Sequence, residues 1–278
     1  MERPTFCAVG DLMLDISATG DGHDARISVR PGGSAANAAV WADSCGAEAT
    51  VIGFVGDDLA GQALARELEE RNVRTSLSVI RGGSPTGATL LVDGHRRVDR
   101  GANAAALPEL LPDPIEADAV LVSAYLPPAV VEAAVRRARA EWTAVDAALS
   151  DEPPSAPMLF IADERARALT GLEAEAAAAV LGRRYRLVCI TRGREGAVAA
   201  LDGRIETISA PEVLDGAAVG AGDALAAATL VALARGATLV EALGEGCRCG
   251  ALVASSSCAW PVLRSKTDVM ATDQRSDS

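Results

Sequence analysis

Val219-Gly220-Ala221-Gly222-Asp223-Ala224-Leu225 stands directly before a mostly apolar run, Ala226–Ala234. Two glycines let the backbone turn tightly and come close to a ligand. The run behind them reads as a helix over 221–234. Its first N–H groups lack intrahelical partners and carry the positive end of the helix dipole. Gly220, Ala221 and Gly222 are therefore a candidate anion hole, suited to a transferring phosphoryl group. Asp223 falls in the first turn beside it, where a carboxylate can take the proton from an attacking hydroxyl. The same stretch alone also fits a plain glycine-rich turn with Asp223 stabilising the helix start. A dinucleotide-binding turn fits less well, because Leu225 occupies the third small position and the first strand is far away.

Outward from this stretch, short apolar runs alternate with alanine-rich helical patterns. Strands are expected at Phe6–Val9, Ala49–Val55, Ala119–Val122, Thr143–Val145, Met158–Ile161, Leu187–Thr191 and Ala197–Leu201. Several are apolar throughout, as in strands covered on both faces of a parallel sheet. Helices are expected at Ser34–Asp43, Leu59–Arg71, Ala129–Ala140, Glu173–Leu181, Ala221–Ala234 and Val240–Ser256. This alternation predicts an α/β fold with helices on both sheet faces. Two segments break the rhythm. Ser17–Val29 is polar and ends in a short strand pattern, and Thr86–Arg100 reads as a hairpin turning at Asp93-Gly94. Strands within 16–30 and 86–101 would form a small lid on a domain spanning 1–265. Asp151-Glu152-Pro153-Pro154 reads as a loop, and 266–278 as a polar tail that frays.

Two further stretches carry chemistry. In Pro31-Gly32-Gly33-Ser34-Ala35-Ala36-Asn37, a glycine pair opens a helix and Asn37 follows one turn in. Glycine permits close approach, and the Asn37 amide offers a donor and an acceptor to a hydroxyl. In Gly10-Asp11-Leu12-Met13-Leu14-Asp15, an acid follows the first strand, where open α/β sheets bind ligands. Asp15 could take two hydroxyls of a polyol. Each stretch by itself also fits an ordinary loop-to-helix junction or a loop cap.

Composition excludes several chemistries. The chain has 278 residues and a net charge of −12. The acidic balance argues against nucleic-acid binding, so phosphate must be handled by local groups. Lys and Arg number 26, and all but Lys266 are arginine. That removes a Walker P-loop. His23 and His95 are the only histidines, too far apart for a His-x-x-x-His zinc site, and they read as solvated lid residues. No Gly-x-Ser-x-Gly elbow is present. The six cysteines form no C-x-x-C pair and read as small buried hydrophobes of a reducing compartment. Trp41, Trp142 and Trp260 read as packing residues. No signal-peptide pattern follows Met1 and no apolar run would span a membrane, so a cytoplasmic protein is expected.

Taken together, Gly10–Asp15, Gly32–Asn37 and Gly220–Asp223 resemble the ribokinase (PfkB) family of carbohydrate kinases. Val55-Gly56-Asp57-Asp58-Leu59-Ala60-Gly61, Arg100-Gly101-Ala102-Asn103 and Thr191-Arg192-Gly193-Arg194-Glu195-Gly196 resemble further segments of that family. The likeness runs from about residue 6 to 260. It implies a three-layer α/β/α sandwich with a mainly parallel central sheet and a small β-strand lid. It implies ATP-dependent phosphorylation of a hydroxyl on a small sugar, ketose or sugar acid. Asp223 would be the general base beside the Gly220, Ala221 and Gly222 anion hole. Asp15, Gly33 and Asn37 would bind the sugar, with Arg100 and Asn103 as weaker candidates. Thr191, Gly193 and Gly196 would line the nucleotide phosphates. Mg2+ would bridge the ATP phosphates largely through water, and a homodimer through the lid would fit the family.

The chain also departs from the family's pattern. Ala217-Ala218-Val219 replaces the usual Asp-Thr-Thr, with Asp215 two residues upstream, which puts potassium activation in doubt. Ala162-Asp163-Glu164-Arg165 stands where the family's Asn-x-x-Glu organises Mg2+ and phosphate. Two alternatives to a sugar kinase follow: a nucleoside kinase of the same fold, or a non-catalytic sugar- or nucleotide-binding relative.

Overall fold

A strand covered on both faces needs apolar residues at odd and even positions alike, and the first strand shows why. Phe6 and Ala8 pack into one buried layer while Cys7 and Val9 pack into the other. The computed structural model describes residues 2–20, 22–92, 95–147, 155–211, 219–256 and 258–261. The chain begins β1 (Thr5–Asp11), β2 (Met13–Thr19), β3 (Arg26–Gly32), α1 (Ser34–Ser44), β4 (Glu48–Gly56), α2 (Leu59–Glu70) and β5 (Arg74–Ile80). It continues with β6 (Gly87–Val92), β7 (His95–Asp99), β8 (Ile115–Glu116), β9 (Ala119–Ser123), α3 (Pro128–Arg137), β10 (Ala138–Arg139) and β11 (Trp142–Asp146). Then come β12 (Met158–Ala162), α4 (Asp163–Thr170), α5 (Ala174–Leu181), β13 (Leu187–Thr191), β14 (Ala197–Leu201), β15 (Arg204–Ile208), α6 (Ala221–Ala234) and α7 (Leu239–Ala254).

The main sheet runs β15-β14-β13-β12-β11-β9-β1-β4-β5. Its strands are parallel from β13 through β5, and β14 and β15 join as antiparallel strands. Helices α1, α2, α6 and α7 cover the face that carries Phe6, while α3, α4 and α5 cover the other. The layers are therefore helix, sheet, helix. A separate four-stranded sheet runs β3-β2-β6-β7, with β2 and β3 lying within 13–19 and 26–32 and β6 and β7 within 87–92 and 95–99. It begins at Met13, ahead of the 16–30 span read from sequence, because one residue after β1 is enough to switch sheets. The β8 and β10 pair forms a small ribbon.

All seven apolar runs fall inside strands of the main sheet. Edge strands β5 and β15 escape the apolar-run reading because their residues alternate between half-buried and exposed. Helix α3 stops at Arg137, three residues short of the expected end, because Ala138 turns into β10 to pair with Ile115. The Asp93-Gly94 turn, the Asp151–Pro154 loop, the Asp215–Ala218 positions and the 266–278 tail lie outside the described residues.

Candidate functional site

Parallel strands bring their carboxyl ends to one edge of the sheet, and β1, β9, β11, β12 and β13 all end there. Asp11, Asp146, Ala162 and Thr191 from four of these ends open on one cavity of about 850 Å³. Asp11 is buried and accepts hydrogen bonds from the Ser34 backbone N–H at 3.2 Å and the Ser123 hydroxyl at 2.9 Å. Burial still holds its carboxyl above the ordinary range.

Helix α1 starts against this acid. Gly33 has φ 97°, and a Cβ there would lie 2.4 Å from the Asp11 carbonyl oxygen, so only glycine fits. The first turn of α1 then meets the first turn of α6. The Ser34 hydroxyl donates to Asp223 Oδ1 at 2.6 Å, and Asn37 Nδ2 donates to Asp223 Oδ2 at 2.8 Å. Asn37 Oδ1 accepts from Trp260 Nε1 at 2.8 Å, which fixes which way the amide points. The Arg71 guanidinium lies 4.8 Å from the Trp260 ring centre and donates to the Pro261 carbonyl at 2.9 Å. Trp260 is thus buried as expected but also holds Asn37, a role its sequence gave no sign of.

Asp223 keeps some exposed area through the cavity yet is ringed by protein. Desolvation by burial, then the nearby Asp146 charge, pushes its carboxyl up to about 8 against the two hydrogen bonds. A base near neutrality is matched to taking a proton from a hydroxyl. Gly220 opens α6 with φ 86°, no described side chain caps that end, and a Cβ on Gly222 would meet nothing within 4 Å. Gly220, Gly222 and Asp223 line the cavity; Ala221 does not.

Among the other expected residues, Asp15, Gly33, Asn37, Arg100, Asn103 and Thr191 also line the cavity. Asp15 belongs to β2, not to the end of β1. It bonds Thr89, burial raises its carboxyl while Arg96 lowers it, and its carboxylate occupies the space a Cβ on Gly32 would need. Asn103 is buried and bonds both backbone groups of Leu12, so it shapes the cavity wall. Arg100 donates to the Tyr125 carbonyl. Gly193 and Gly196 stand apart from the cavity. Gly196, with φ 97°, packs where a Cβ would be 2.0 Å from the Ile208 carbonyl oxygen.

Sequence reasoning missed Asp11, Ser34, Arg96, Tyr125 and Asp146 as cavity residues. Asp11 and Asp146 end parallel strands, a signal the sequence did contain. At the Asn-x-x-Glu positions the structure places Ala162 ahead of α4 and Arg165 within it. Asp163 and Glu164 do not line the cavity. Among the described residues no three His, Cys, Asp or Glu side chains cluster as a metal site.

The site therefore sits where the carboxyl edge of an open α/β sheet meets a small second sheet, with an acid at the start of a helix. The model of the pfkB family of carbohydrate kinases matches residues 4–260, and the chain belongs to that family. It is 27% identical over 262 residues to ribokinase of Bacillus subtilis, covering 86% of this chain and 88% of that one. Its fold is similar to adenosine kinase of Sinorhizobium meliloti, with TM-score 0.80, 21% identity, and 98% and 100% of the two chains covered. It is also similar to Arabidopsis thaliana ribokinase complexed with ribose and ATP, with TM-score 0.74, 22% identity, and 94% and 96% covered. The fold is ribokinase-like, and membership of the family implies kinase activity. No described helix is long and apolar enough to cross a membrane.

Proposed function

We propose that the protein transfers the terminal phosphoryl group of ATP to a hydroxyl of a small sugar, ketose or sugar acid. The observation that carries this reading is Asp223. It is held by Ser34 and Asn37, raised to about 8, and set beside the start of α6 in the cavity that also holds Asp15. The substrate hydroxyl attacks the terminal phosphorus as Asp223 takes its proton. An oxygen–phosphorus bond forms, the bond to the bridging oxygen breaks, and ADP leaves. The N–H groups at Gly220–Gly222 face the charge that builds on the phosphoryl oxygens. Asp15 holds substrate hydroxyls, and Thr191 lies on the nucleotide side. The ATP named in the Arabidopsis ribokinase supports ATP as donor.

Tyr125 in the cavity, with adenosine kinase among the fold relatives, favours a second reading in which the acceptor is a nucleoside. The test is ADP release with ATP over a panel of sugars, sugar acids, sugar phosphates and nucleosides. We expect turnover on a sugar or sugar acid that Asp223→Asn lowers at least ~100-fold. Turnover confined to nucleosides would select the second reading. Binding without turnover anywhere on the panel would make the protein a non-catalytic relative.

A further inference from the structure

Strand β7 presents Arg96 and Val98 to the cavity, and Arg100, the residue after its end, also lines it. Arg96 and Val98 follow the strand's period of two, so Arg97 and Asp99 point to the other face. The pairing fixes where each stands. Val98 pairs with Thr89, which pairs with Asp15, so these three form one row across the small sheet. Arg96 pairs with Leu91, which pairs with Ser17, one row further out. Rows on one face are about 6–7 Å apart. Arg96 therefore sits beyond Asp15 in the direction away from Met13 and β1.

Arg96 lines the cavity at its exposed rim and makes no hydrogen bond or ion pair among the described residues. Its charge acts on Asp15 without a direct contact, whereas the Arg100 guanidinium is engaged by the Tyr125 carbonyl. A guanidinium stays charged at any working pH and offers a planar fork of donors that matches a carboxylate or phosphate. A neutral sugar needs no such group, since Asp15, Thr89 and Asn37 already supply hydroxyl partners.

Resting on the phosphotransfer reading of the same cavity, we propose that the acceptor is an anionic sugar. Its oxyanion, carboxylate or phosphate, is held by Arg96 about one strand row beyond the hydroxyls that Asp15 takes. Its reacting hydroxyl lies at the opposite end, at Asp223. This arrangement keeps the substrate's own charge away from the phosphoryl group being transferred.

The test is calorimetric binding without nucleotide, using glucose, gluconate and glucose 6-phosphate, and ribose, ribonate and ribose 5-phosphate. At least one anionic member should bind ~10–100-fold tighter than its neutral sugar. Arg96→Gln should bring that advantage within about threefold, while Arg97→Gln, on the opposite face, should leave it in place. The sugar acids against the sugar phosphates separate the two oxyanions. Neutral sugars binding as tightly as both anions, or an advantage that survives Arg96→Gln, would overturn the proposal. ADP release on the same compounds separates it from the underlying reading. Turnover on neutral sugars alone overturns the anion site and leaves phosphotransfer standing. Anion binding that depends on Arg96, with no turnover on any compound, supports the anion site and removes phosphotransfer.

Discussion

Asp223→Asn should make the protein more stable at neutral and alkaline pH while stopping its chemistry. The native carboxyl is raised to about 8, chiefly by burial and next by Asp146. In the unfolded chain it returns to about 3.8. Below pH 3.8 both states hold the proton, and the group contributes fully to stability. Between 3.8 and 8 the folded state holds a proton that the unfolded state has lost, so stability falls as pH rises. The fall ends above about 8. At pH 7 the accumulated cost is up to about 4 kcal/mol. Asparagine carries no such cost, and the surrounding bonds can survive the change. Its Oδ1 can accept from Asn37 Nδ2, which Trp260 keeps pointed at it, and its Nδ2 can donate to Ser34, whose hydroxyl both donates and accepts. Urea and thermal unfolding from pH 4.5 to 9 would measure this. The two proteins should be nearly equal at pH 4.5, with the mutant's advantage growing to pH 8 and then levelling. Near pH 8 the mutant Tm should be higher by on the order of 5–10 °C. A mutant less stable than wild type at pH 8, or a gap that does not widen with pH, would refute the placement of a buried, proton-holding acid at this position.

Gly33→Ala puts a methyl 2.4 Å from the Asp11 carbonyl oxygen and 2.9 Å from the Leu12 Cα, at φ 97°. Urea unfolding should show a loss of more than about 2 kcal/mol, and an unchanged midpoint would count against the close approach of α1 to β1. Trp260→Phe keeps a ring beneath Arg71 but removes the N–H that holds Asn37 Oδ1. Asn37 then no longer donates to Asp223 in one fixed geometry, so the base rises above about 8 and the pH profile of kcat/KM moves upward, with ~10-fold less activity at pH 7. An unmoved profile would reduce Trp260 to packing.

The central layers were legible because burial on two faces leaves a mark that survives in one dimension. Met158–Ala162 and Leu187–Ile190 are apolar throughout, and runs this short, rich in Leu, Ile, Val and Phe, fit a strand covered on both faces. The edges were not legible, since Arg204–Ile208 is half-buried at alternate positions only and shows no apolar run. Helix α4 was missed for a related reason: of Asp163–Thr170 only Ala166 is buried, so it shows little apolar stripe. In the site, glycines and the Asp223 helix start announced themselves locally. The choice between Asp11 and Asp15 as the strand-end acid did not. Leu12 alone separates β1 from β2, and nothing local says where one sheet hands over to the other. Arg96 was hidden differently, because Arg96 and Arg97 look alike until the register of β7 assigns each a face.

The two stretches that first suggested a function are one site in three dimensions, and this explains why each alone was ambiguous. A glycine pair before a helix is common, and so is an acid in a first helical turn. Ser34 and Asn37 reach Asp223 across 189 and 186 residues of chain, so each stretch supplies what the other lacks. The start of α1 gives Asp223 two donors, and without them a buried carboxylate beside Asp146 would hold its proton too tightly to serve as a base. The same turn of α1 gives its Ser34 N–H to Asp11, which fixes the end of β1 and with it the step into β2, where Asp15 stands. Under the proposed function, one helix start thereby sets both the basicity of Asp223 and the position of Asp15 in the same cavity. A change at Gly33, Ser34 or Asn37 should consequently disturb binding and chemistry together, whereas a change at Arg96 should disturb binding alone.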